Sequence, residues 1–164
     1  AVAGAALLGV GTHPFGDLLT GEPPALLYPL DVVVIGERVV LHADPTLHLL
    51  GAFGVELAAI WLGVGVFLRL HRVSPRVALA PHATLGAGYA AVALVIPAPT
   101  LEISYPFVFT VLAVGLLGLA PRLRLVPRGA NPRIELPSGT VAVVTGLAAV
   151  TVAWAAYGVT YLFV

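Results

Sequence analysis

Two groups of residues in this sequence have types and spacing that could do chemistry. His13 and Asp17 stand four apart, so on a helix their side chains share one face. An imidazole and a carboxylate placed that way can ligate one metal ion, or the carboxylate can orient the imidazole as a general base. The same pair also suits an interfacial polar cap that faces water and headgroups. Glu56 is the second centre. It falls inside a long apolar run, about nine residues and roughly 13 Å along a helix axis from the start of that run. A carboxylate at such depth must be neutral, paired or bound to a cation. His48, eight residues earlier, lies in the same half of the helix and is an accessory candidate. With His13 and Asp17 the two could form a His/carboxylate site. Alternatively, Glu56 is protonated and serves helix packing.

The elements that must carry these residues are apolar and long. Hydrophobic residues make up 59% of the 164 and charged residues only 10%, with a mean hydropathy of +1.02. A soluble domain usually charges about a quarter of its residues, so this composition points to lipid as the solvent. Residues 1–10 are apolar but too short to cross a bilayer, which takes about 20 residues of helix. With 11–20 they read as the end of a truncated helix, stopped by Gly21-Glu22-Pro23-Pro24. Residues 25–45 suggest a short β-hairpin or extended segment lying against one membrane face. Four full spans follow, over 46–70, 77–96, 101–120 and 139–164. Pro45 suits a helix start, Pro97-Ala98-Pro99 makes a tight reversal, and 121–138 is an Arg- and Pro-rich connector. The expected fold is therefore an all-α membrane protein. It is a single multi-span helical domain over 1–164, with four full transmembrane helices plus a partial N-terminal one.

Charge gives the orientation. Formal net charge is zero, with eight Arg, no Lys and eight acids, which implies no general affinity for nucleic acid. Arg69, Arg72 and Arg76 follow the first full span, and Arg122, Arg124, Arg128 and Arg133 precede the last. Two spans separate these loops, so both lie on one side, the cytoplasmic one. Residues 17–45 then fall outside, in a multi-pass protein of the cell membrane. With no Cys, any metal must be held by His or oxygen ligands. His42, Asp44, His71 and His82 are weaker candidates, read as lining, loop or packing residues. Tyr28 and Trp61 read first as interfacial aromatics.

The run Thr12-His13-Pro14-Phe15-Gly16-Asp17-Leu18-Leu19-Thr20-Gly21, followed by Ala25-Leu26-Leu27-Tyr28-Pro29-Leu30, resembles the YdjM/YbcI-like family of membrane-bound metal-dependent hydrolases. Gly54-Val55-Glu56-Leu57 looks like the acidic position that archaeal members place in the following helix, and the Arg-only, Ala- and Val-rich composition suits a haloarchaeal source. The resemblance covers about the first 60 residues. It implies His13 and Asp17 as metal-site residues, Glu56 as a further ligand or catalytic base, and Tyr28 at the tyrosine-proline turn as an accessory. The family's upstream aspartate and histidine motifs have no counterpart here, so a chain cut behind them would hold half a site.

The leading expectation is a membrane-bound hydrolase in which a divalent ion, Zn²⁺ or Mn²⁺ before Mg²⁺, activates water against an ester or phosphoester, with membrane lipid as partner and a lipid-like substrate. A non-catalytic structural membrane protein is the alternative. An ion-coupled transporter subunit titrating at Glu56 is a third, against which stands the lack of any inverted repeat.

Overall fold

A computed structural model describes residues 16–19, 27, 29, 30, 32, 34–124, 133–135 and 137–164. Their regular structure is helical apart from one short strand pair. In chain order come α1 (Pro45–Leu70), α2 (Pro75–Ala78), the 3₁₀ helix η1 (Pro81–Ala91), α3 (Val92–Val95), α4 (Tyr105–Ala113), the 3₁₀ helix η2 (Val114–Leu119), strands β1 (Arg122–Arg124) and β2 (Arg133–Glu135), and α5 (Gly139–Phe163). Residues 16–19 form a helical turn. Two helices, α1 and α5, are long and apolar enough to cross a membrane.

The chain divides into two compact units: Ala1–Glu56 with Pro99–Ser104, and Leu57–Ala98 with Tyr105–Val164. Hydropathy gives no hint of this division, but charge does. The first unit contains Asp17, Glu22, Asp31, Glu37, Asp44, Glu56 and Glu102 against Arg38 alone, and the second contains seven Arg against Glu135 alone.

In the first unit, α1 starts where its sequence allows. Asp44 precedes Pro45, and its Oδ1 accepts the amide of Leu47 at 2.8 Å while its carbonyl accepts that of His48 at 2.9 Å. An N-cap carboxylate followed by proline satisfies the amides that a helix start leaves open. Thr46 is buried and donates to the Pro99 carbonyl at 2.9 Å, tying the 99–104 reversal to the helix start. No strand forms among the described residues of 25–45, so the hairpin option is corrected to extended chain and turns. The physical reason is competition for backbone donors: Val39 gives its amide to Leu18 O at 2.9 Å and Leu41 gives its own to His48 Nδ1 at 3.1 Å. The antiparallel ladder forms in the connector, with Leu123 opposite Ile134 and Arg122 opposite Glu135.

In the second unit the expected spans 77–96 and 101–120 are not long α-helices. Pro81 stops the first: Leu79 and Ala80 are extended (φ −100°, ψ 131° and φ −102°, ψ 143°), as a residue before proline prefers. Beyond Pro81 the chain tightens to 3₁₀ geometry, and its buried positions follow the three-residue repeat of that helix: Ala80, Ala83, Gly86 and Tyr89. This stripe packs on α5, whose buried face is Val144, Thr145, Gly146, Ala149, Val150, Ala153 and Tyr157. Backbones touch directly there. A Cβ at Gly86 would collide with the Ala149 carbonyl, one at Gly118 with that of Ala142, and one at Gly146 with that of Gly115.

The break at 79–80 leaves backbone groups without helical partners, which is costly away from water. Thr145, fully buried, meets them: its hydroxyl accepts the Ala80 amide at 3.0 Å and donates to the Ala78 carbonyl at 3.4 Å. Tyr89, Phe107 and Tyr157 form an aromatic cluster with centroids 4.9–6.2 Å apart, and the Tyr89 hydroxyl lies 2.6 Å from Thr110 Oγ1. Trp61 donates to Thr151 Oγ1 at 2.9 Å, linking α1 to α5. Helix α1 ends in a Schellman motif, with Val73 N bonded to Leu68 O at 2.9 Å, Arg72 N to Arg69 O at 3.3 Å, and Val73 packed against the cluster of Leu68, Ala78 and Val144. Arg72 occupies the left-handed position (φ 54°) that glycine usually fills.

Candidate functional site

Asp17 is presented by the helical turn 16–19, whose place in the first unit is fixed through its carbonyls. Leu18 O accepts from Val39 N, and Leu19 O accepts from His48 Nε2 at 2.6 Å. Asp17 is half-buried, Glu56 on α1 is exposed, and the two carboxylates lie within electrostatic reach of each other. Thus the turn and the helix bring together two acids that are 39 positions apart in sequence.

His48 sits at the junction in another capacity. It is 2% exposed, and both ring nitrogens are engaged. Nδ1 accepts an amide proton, so the ring proton must be on Nε2, where it is donated to Leu19 O. Neither lone pair is open to a metal ion in this arrangement. The imidazole works as a clamp joining the turn, the extended segment and α1. The signal for that role was its place on the first turn of an apolar helix, but its partners are 7 and 29 residues away.

The remaining described histidines also bond to backbone groups. His42 Nδ1 accepts the Asp44 amide at 2.9 Å, His71 Nδ1 donates to Phe67 O at 2.9 Å, and His82 Nε2 donates to Leu117 O at 2.9 Å. Asp44 caps α1. His13 and Tyr28 lie outside the described residues. Two carboxylates within electrostatic reach of each other offer oxygen donors and negative charge, which a divalent cation favours. Among the described residues no group of three His, Asp or Glu gathers to complete such a site.

No protein-family model, no curated protein and no solved structure matches this chain.

Proposed function

We propose that the protein is a multi-pass membrane protein whose Asp17–Glu56 face is the centre of a metal-dependent hydrolase acting on an ester or phosphoester of a lipid-like substrate. The observation that supports it is that Asp17 and Glu56 lie within electrostatic reach of each other, in a region otherwise organised by capping and clamping bonds. His13, one helical turn before Asp17 in sequence, would supply the third donor and Asp17 the second, with Glu56 as ligand or base. A divalent ion bound there would supply a water of lowered pKa at neutral pH. Of the protein's own groups, His48 and Asp44 hold the turn and helix start in register, and Glu56 can take a proton from a water beside it.

The membrane arrangement proposed with this has four crossings. Eleven residues of η1 at about 2.0 Å and four of α3 at about 1.5 Å span roughly 28 Å, close to the ~30 Å hydrocarbon thickness. By the same measure α4 with η2 spans about 25 Å. Arg69, Arg72 and Arg76 in one loop and Arg122, Arg124, Arg128 and Arg133 in another suit a cytoplasmic 69–76 and 121–138 and an outer 17–45.

The test measures bound divalent ion and release of acid from phospholipid and simple ester substrates, for the full chain and for His13→Ala/Asp17→Ala and Glu56→Gln variants. Loss of bound ion in the first and of turnover in both supports the proposal. Equal metal stoichiometry in all three removes it. One observation favours a structural membrane protein instead, namely the backbone bonds made by His42, His48, His71 and His82. That reading expects altered stability in the variants and no activity to lose.

A further inference from the structure

A cavity of about 520 Å³ opens in the second unit between the C-terminal half of α1 and the first turns of α5. Its volume falls within the range of about 300–1,000 Å³ usual for small-molecule sites. Ile60, Val64 and Phe67 line it from α1 and Val143 and Val144 from α5, with Thr140 its one polar side chain. The space exists because two lining positions, Gly63 and Gly139, carry no side chain, and a Cβ at either would meet nothing within 4 Å. The groove follows α1 for about 10 Å, and its lining is as apolar as a hydrocarbon chain.

The end of this groove is positively charged. Phe67 is stacked by His71 at 4.2 Å, and His71 and Arg72 are both exposed just beyond it. The N-terminus of α5, with no acid in its first turn, begins at the groove-lining Gly139 and adds the positive end of a helix dipole. Across the whole unit Glu135 is the single acid. Arg72 also holds a left-handed backbone position where glycine is favoured. The Arg72 guanidinium is a group that pairs well with a phosphate.

We propose that this groove seats an acyl chain of an anionic phospholipid, with Arg72 at its end holding the headgroup phosphate. The site is separate from the Asp17–Glu56 face and does not depend on hydrolysis there.

Two variants test it without threatening the fold. Gly63→Leu fills the groove from a helix position where leucine is the better former, and Arg72→Gly places the favoured residue in the Schellman motif. The full chain in detergent is equilibrated with phosphatidylglycerol, phosphatidylcholine or inorganic phosphate, and retained lipid is counted by native mass spectrometry. The wild type is expected to hold one phosphatidylglycerol in preference to phosphatidylcholine. Arg72→Gly should lower that preference about fivefold, the worth of one Arg at an anionic headgroup, with no loss of thermal stability. Gly63→Leu should lower retention of both lipids at least tenfold. Equal retention of the two lipids by the wild type, undiminished retention in Gly63→Leu, or displacement of the lipid by phosphate alone would each overturn the proposal. So would a protein dimer occupying the groove in place of lipid.

Discussion

Replacing Thr145 by valine removes one hydroxyl and almost no volume, which isolates the role assigned to that group. In the native chain the hydroxyl accepts the Ala80 amide at 3.0 Å and donates to the Ala78 carbonyl at 3.4 Å, and Ala78, Ala80 and Thr145 are all within 1% of complete burial. Valine leaves an amide without a partner, worth about 1–3 kcal/mol, and loses a longer bond worth about 1 kcal/mol or less. The expected destabilisation is therefore about 2–4 kcal/mol when the second bond is worth its full ~1 kcal/mol. For a chain of this size each kcal/mol moves the melting midpoint by about 2–4 °C, so thermal unfolding in micelles, followed by circular dichroism, should shift down by roughly 4–16 °C. Thr145→Ser keeps the hydroxyl and loses a methyl, at about 1 kcal/mol. The order wild type, serine, valine is the signature of hydroxyl bridging. Valine unfolding within a degree of wild type, or serine falling below valine, would refute the account of how the break at 79–80 is tolerated.

Direct backbone contact makes Gly118→Ala costly, about 1–3 kcal/mol in the same unfolding assay, whereas Gly88→Ala, whose new methyl meets nothing, should be neutral or mildly stabilising. His48→Ala is expected to lose about 2–4 kcal/mol, because it strands the Leu41 amide and the Leu19 carbonyl and opens a cavity.

The sequence is most readable where apolar length alone decides. The expected 46–70 and 139–164 spans correspond to Pro45–Leu70 and Gly139–Phe163 within a residue, because proline or a serine cap fixes each start and nothing interrupts the run. The other two apolar runs differ from expectation for a tertiary reason. Apolar composition shows that 77–96 is buried or in lipid, but the choice between α and 3₁₀ geometry turns on Gly86 and Gly118 meeting carbonyls of α5, more than 20 residues away in sequence. Likewise Val39–Leu41 has the composition of a strand, yet its amides are taken by the 16–19 turn and His48. At the candidate site, four-residue spacing can point to His13 with Asp17, but helical periodicity has no means of joining Asp17 to Glu56. The second role of His48, as a clamp, depends on Leu19, which no local pattern connects to it.

The tight winding of η1 has a mechanical corollary if the proposed four-crossing arrangement holds. Rewinding its eleven residues into α geometry would shorten the segment by about 5 Å. It would also turn the Ala83–Gly86–Tyr89 stripe away from α5, because successive residues would then advance by about 100° in place of 120°. The glycine contact with Ala149 therefore acts as a length setting, holding fifteen residues stretched to a reach that an α-helix attains only with about nineteen. In the proposed arrangement, a bilayer a few ångströms thinner would press on that setting first, and the α5 contact face is where the chain would register the change.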